Sequence, residues 1–174
     1  VFQHAKNRIP WLLILMFSAT ITGAIITKYE NAFQVVPILV SFIPMLMDTG
    51  GNCGSQSSTL VIRGLAVDEL HFSDCFSIVW KEFRVSLIVG IVLAAANGVR
   101  IYLVHGGDVQ MAMVVAASLI GTIVVAKMVG CMLPIFAKQL HLDPAIMASP
   151  LITTIVDTCS IMIYFRIATL VFRL

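Results

Sequence analysis

AFQVVPILVSFIPMLMDTGGNCGSQSSTLVIRGLA, residues 32–66, is an apolar run of about 35 residues with a polar, glycine-rich middle. As one α-helix it would reach roughly 50 Å, at about 1.5 Å per residue. The hydrocarbon core of a bilayer is only about 30 Å thick. The run must therefore tilt strongly, project into water, or be broken. It carries the means of breaking: Pro37, Pro44, Gly50, Gly51 and Gly54. It also carries Asp48, a carboxylate deep in an apolar segment. A charge at mid-membrane costs about 2.5–3.5 kcal/mol even on the mildest scale. Asp48 must then face a protein interior or a water-filled path.

Four more apolar stretches lie on either side, at about 11–27, 76–104, 111–136 and 144–172. The first follows His4, Lys6 and Arg8 and closes on Lys28-Tyr29-Glu30-Asn31; a charged loop with Asp68, Glu69, His71 and Asp74 precedes the third. Of the 174 residues, 59% are hydrophobic and only 11% charged, against roughly 45–50% and about 25% in soluble domains. That excludes an ordinary soluble domain and a disordered chain. The reading is an all-α integral membrane protein of five transmembrane helices, a single pore domain over 1–174. No length remains for a separate cytosolic domain. A net charge of +2 with no basic run argues against nucleic acid. Cys53, Cys75, Cys131 and Cys159 form no C-x-x-C, so neither a zinc site nor a disulfide framework is legible. The chain begins with Val and reads as part of a longer one; its first ten residues lack the pattern of a cleaved signal peptide.

The positive-inside rule sets an orientation. A cytoplasmic N-terminus puts Lys6, Arg8, Arg63, Lys81, Arg84 and Lys138 inside, and Lys28, Arg100, Arg166 and Arg173 outside. The bias favours N-terminus in and C-terminus out across the cell membrane. Gly90, Ala94 and Gly98 recur every four residues, as do Ala117 and Gly121, a spacing that lets helices approach closely in lipid. Lys81, Glu82 and Arg84 are expected at the cytoplasmic interface, and Arg63 at the inner end of the second segment. Lys127, within the fourth, has two outlets, an acidic partner or snorkelling to an interface. His4, His71, His105 and His141 lie in loops or at ends and read as solvated.

A second carboxylate, Asp157, lies deep in the fifth segment. Ser149, Thr153, Asp157, Ser160 and Tyr164 follow at steps of four, four, three and four, which places them on one helical face. Such a stripe either glues helices together or lines water; an ion in its middle favours the water path. In the second segment Ser41, Met45, Asp48, Asn52, Gln56, Thr59 and Arg63 fall at steps of three or four. Prolines remove backbone donors, so Pro44 is expected to free the carbonyl of Val40 and Pro150 that of Ile146. Glycines are expected to loosen the backbone further, which is tolerated at depth where it lines a cavity. Carboxylates, amide oxygens, hydroxyls and free carbonyls are all hard oxygen donors. They suit Mg²⁺, which keeps several waters and is held through one or two carboxylates. One Asp per chain at a symmetric dimer axis would supply a pair. The aspartates act as fixed charge, and the chain is read as no enzyme. Asp48-Thr49-Gly50 resembles the tripeptide of aspartic proteases, but those place it on β-loops, and the Gly-x-Gly-Asp of intramembrane aspartyl proteases is absent.

The run PMLMDTGGNCGSQSSTLVI, residues 44–62, resembles the MgtE family of magnesium channels and transporters. So do MLP, LDPA, SPLITTIVDTCS and IYF between residues 130 and 165, and the Lys81-Glu82 pair between the two regions. The resemblance covers essentially the whole chain. It implies a five-helix domain that forms a homodimer in the lipid bilayer, with the ion path along the dimer axis between the second and fifth helices. It implies that Asp157 holds a largely hydrated Mg²⁺, with the Thr153 carbonyl one turn earlier and Gly50, Gly51 and Asn52 nearby. Asp48 and Ser149 join them as supporting ligands. Pro44, Thr49, Gln56, Pro150 and Ser160 are expected along the path.

There are departures. Some members carry Asn where this chain has Ser149, and some carry Gly where it has Asp48. An extra carboxylate pair would raise cation occupancy or broaden selectivity from Mg²⁺ toward Mn²⁺ or Ca²⁺. Eukaryotic relatives carry two such units per chain, so one unit fits a bacterial protein. Many members also carry cytosolic CBS domains that sense Mg²⁺ and close the pore. None lies in this chain, which implies loss of that closure. The alternatives are a secondary transporter coupled to H⁺ or Na⁺ through Asp48 or Asp157, and a membrane subunit whose polar stripes only hold helices together.

Overall fold

The computed structural model describes residues 2–29, 34, 36–141 and 143–173, without the side chains of residues 4, 5, 7, 8, 11 and 145–150. Among the described residues there are five long α-helices and no strand. They are α1 (Phe2–Lys28), α2 (Ile43–Ala66), α3 (Cys75–Val104), α4 (Val109–Gln139) and α5 (Pro144–Phe172). Short 3-10 segments, Pro37–Phe42 and Phe72–Asp74, lead into α2 and α3.

Local chemistry explains several boundaries. Asp108 caps α4, its side chain accepting the Met111 N–H at 2.9 Å, a contact of about 1 kcal/mol. The turn before it needs positive φ at Gly106 (+66°) and Gly107 (+86°), where glycine is unstrained. Pro144 opens α5, where its missing N–H leaves nothing unpaired.

The long second segment is broken, at its prolines. The break falls across Pro37–Phe42, and α2 then runs unbroken through Gly50, Gly51 and Gly54. Two expectations need correction here. The glycines do not interrupt the helix, because each keeps helical backbone geometry. The Val40 carbonyl is not freed by Pro44, because it accepts the Ile43 N–H instead. Pro44 itself sits in the first turn of α2, where a missing donor is harmless.

Contacts give the order of the bundle. Gly90 of α3 meets Ile120 of α4, while Glu82 meets Lys127, so these helices run antiparallel. Gly50 of α2 packs on Val156 and Gly54 on Ile152, so α2 and α5 are antiparallel too. Thr22 hydrogen-bonds Thr158 at 3.1 Å and Tyr29 stacks on Phe165 at 4.7 Å, so α1 runs parallel to α5. Successive helices thus point in opposite directions. The central α4 touches α2, α3 and α5, and its Val114, Val115, Ile123 and Ala126 are fully buried.

Among the described residues, three helical stretches are long and apolar enough to cross a membrane: Phe72–Val104, Val109–Gln139 and Leu151–Phe172. The first helix contributes a shorter apolar piece, Leu12–Lys28. The second falls short by composition, because Asp48, Asn52, Gln56, the glycines and the serines dilute it.

In lipid the hydrophobic effect does not hold helices together; close packing and hydrogen bonds do. The closest approach of α2 and α4 shows this. A Cβ on Gly130 would collide with the Gly54 carbonyl oxygen, so the two backbones touch where they cross.

Candidate ion site between the second and fifth helices

The antiparallel pair α2 and α5 frames a cleft of about 440 Å³. Pro44, Met47, Asp48, Gly51, Asn52 and Ser55 line it from α2, and Thr153 and Asp157 from α5. The structure therefore brings together four of the expected ligands: Asp48, Asn52, Thr153 and Asp157. Asn52 donates from Nδ2 to Asp48 Oδ2 at 3.1 Å, four residues along the same helix. That bond orients the carboxylate toward the cleft and leaves the amide oxygen of Asn52 as a further hard donor. Asp48 and Asn52 are exposed, and Asp157 is half-buried.

Pro44 and Gly51, expected along the path, also line the cleft; the remaining expected residues do not. Gln56 is exposed one turn beyond Asn52 and outside the cleft lining. Thr49 turns to a separate cavity of about 740 Å³ with Ser41, Met45, Asn97 and Arg100. Gly50 and Ser160 lie inside the bundle. A Cβ on Gly50 would sit 2.7 Å from Thr122 Cγ2 and from Val156 Cγ1. Ser160, 1% exposed, donates to the Val156 carbonyl at 2.6 Å. Tyr164 is fully buried and donates to the Leu39 carbonyl at 2.8 Å. The stripe on α5 is thus divided: Ser160 packs beneath Gly50 and Tyr164 beneath Leu39, while Thr153 and Asp157 face the cleft. Ser149 and Pro150 lie on α5, but their side chains are outside the described residues.

Met47 and Ser55 line the cleft without having been singled out. Ser55 follows Asp48 by seven residues and Asn52 by three, so the helical spacing already pointed to it. Among the described residues no three His, Cys, Asp or Glu side chains cluster as a metal cage. Two carboxylates, an amide and a threonine in an open cleft suit a cation that keeps most of its water.

The interior charges also required the structure. Lys127 is paired: its Nζ lies 3.1 Å from Ser57 Oγ and 3.4 Å from Glu82 Oε2. Ser57 donates to the same carboxylate oxygen at 2.6 Å. Glu82 was expected at the cytoplasmic interface and is instead buried in the bundle, 9% exposed, because Lys127 and Ser57 meet it there.

The family model described as MgtE, divalent cation transporter, matches residues 43–167. A magnesium transporter MgtE of Bacillus subtilis (strain 168) is 39% identical over 168 residues, 97% of this chain and 37% of that protein. One of Thermus thermophilus is 35% identical over 163 residues, 94% of this chain and 36% of that protein. One of Enterococcus faecalis is 32% identical over 174 residues, covering 98% of this chain and 38% of the relative. The chain spans a little over a third of the length of these relatives. The matched stretch holds the whole α2–α5 cleft, and on this match the chain belongs to the MgtE family of divalent cation transporters.

Proposed function

We propose that this chain is the membrane unit of a Mg²⁺ channel, acting as a homodimer with all five helices across the cell membrane. The observation that carries the reading is the cleft in which Asp48, Asn52, Thr153 and Asp157 meet. In a bilayer, carboxylates left open to lipid would cost several kcal/mol. A second copy facing the cleft across a two-fold axis removes that exposure and doubles the charge, since such an interface pairs the same patch on both subunits. The ion path then runs along that axis between α2 and α5. Asp157 and Asp48 act as fixed negative charge through bound water, with the Asn52 amide, the Thr153 carbonyl and Ser149 as supporting oxygens. Gly51 keeps the wall low. The hydrated ion explains the absence of a tight cage among the described residues: conduction needs binding strong enough to enter and weak enough to leave.

Mg²⁺ flux into proteoliposomes, with voltage clamped by K⁺ and valinomycin, tests the proposal. Wild type should follow the Mg²⁺ electrochemical gradient with no proton or Na⁺ gradient. Asp157→Ala should cut flux by at least about tenfold, the effect of losing only ~1.4 kcal/mol at the ion. Uphill Mg²⁺ movement driven by H⁺ or Na⁺ would replace the channel with a coupled transporter. Mn²⁺ and Ca²⁺ as competing ions give the selectivity order.

A further inference from the structure

Between the buried Leu46 and Val61, the back of α2 is nearly smooth. From Gly50 to Ser58 the buried residues away from the cleft are Gly50, Cys53, Gly54, Ser57 and Ser58, all small. At the crossing with α4 the contact is glycine on glycine. Small residues permit close approach, but they give no side-chain ridge to resist rotation of the helix about its own axis. Into this surface the neighbouring helices send two charges, Glu82 from α3 and Lys127 from α4, 9% and 5% exposed. Both reach Ser57, which is fully buried. Ser57 lies nine residues after Asp48. At about 100° per residue that is half a turn away, on the opposite side of the helix. Whatever holds Ser57 toward α3 and α4 therefore aims Asp48 at the cleft.

We propose that Glu82, Lys127 and Ser57 form a latch that fixes the rotation of α2 and so positions Asp48 and Asn52 in the ion path. The three are positioning residues, since none of them lines the cleft. The two charges compensate each other, so neither draws an ion away from the path. Ser57 supplies the directional link, because its hydroxyl donates to Glu82 and accepts from Lys127. The role in transport rests on the reading of the cleft as the ion path; the hold on α2 does not.

Two readouts separate these parts. Cys53 lies on the buried side of α2, 6% exposed, and its alkylation reports rotation. In a Cys75→Ser, Cys131→Ala, Cys159→Ala background it is the remaining thiol. Ser57→Ala should raise the rate of N-ethylmaleimide labelling at Cys53 several-fold and shift the half-saturating Mg²⁺ concentration for flux, in protein that still unfolds cooperatively in detergent. The double variant Glu82→Gln with Lys127→Met keeps an oxygen acceptor for Ser57 and leaves no lone charge. With the Lys127 donor lost but the Ser57 link kept, it should label Cys53 more slowly than Ser57→Ala and stay closer to wild type in half-saturation. Labelling or half-saturation that does not move in Ser57→Ala would overturn the latch, as would a double variant that behaves like Ser57→Ala. If wild type carries no Mg²⁺ at all, the transport reading falls, and Cys53 labelling still decides whether the triad holds α2.

Discussion

Asp48 and Glu82 are two carboxylates on opposite sides of one helix, and their surroundings differ in kind. Asp48 stands on the open side of α2, held by a neutral amide from Asn52, facing a cleft with a second carboxylate, Asp157. Glu82 comes to the closed side of α2, where Lys127 and Ser57 meet it in the interior. The closed site has its own cation and a hydroxyl filling the space between. The open site concentrates negative charge without a lysine or arginine among the described residues of its lining. A buried pair that is complete within the chain serves structure; an incomplete one that faces a cleft is available to a mobile cation. The comparison separates candidate ion ligands from structural charges by what compensates them, when residue type alone does not.

The strongest way to break the contrast is to leave a charge alone on the closed side. Lys127→Met strands the Glu82 carboxylate, and removing one partner of a buried pair costs about 3–5 kcal/mol. Thermal unfolding should show a large loss of stability and little folded protein. Next comes the crossing that brings α2 against α4. Gly130→Ala pushes a methyl against the Gly54 carbonyl oxygen, with no flexible side chain to yield. Overpacking of this kind costs about 1–3 kcal/mol, and it should lower both the unfolding midpoint and flux. Tyr164→Phe removes only the hydroxyl that donates to Leu39. The expected cost is about 1 kcal/mol, with flux changed less than by Asp157→Ala. The smallest effect on stability belongs to the open side. Asp48→Asn removes an exposed charge whose partner is an amide, and surface changes away from special features stay within about 0.5 kcal/mol. Its flux should nonetheless fall, measured as Mg²⁺ uptake in the same proteoliposomes. A loss of stability in Asp48→Asn equal to that of Lys127→Met would erase the distinction between the two sides.

Much of this was legible in the chain. Apolar length located the five helices, the last within the same bounds, residues 144–172. The spacing of Asp48, Asn52, Thr153 and Asp157 placed each on a polar face of its own helix, and those faces meet. Periodicity misled on α5, where Ser160 and Tyr164 share the stripe with Asp157 but lie beneath Gly50 and Leu39. A helical repeat names a face and says nothing of where along its length another helix crosses it. The same limit hid Glu82. Its position near the start of α3 suggested an interface, and only the partner from α4, 45 residues away, revealed an interior site.

The sequence by itself determined the class of molecule and the chemistry of its polar faces, because bilayer thickness and the cost of a buried charge act on each segment separately. It also held the α2 break to a short choice of prolines and glycines. The tertiary structure decided which of those breaks occurs, which polar groups share a cleft, and which charges neutralise each other. Those outcomes depend on distances between residues far apart in the chain. A gap of a few ångströms separates a lysine that pairs with Glu82 from one that reaches for the membrane surface.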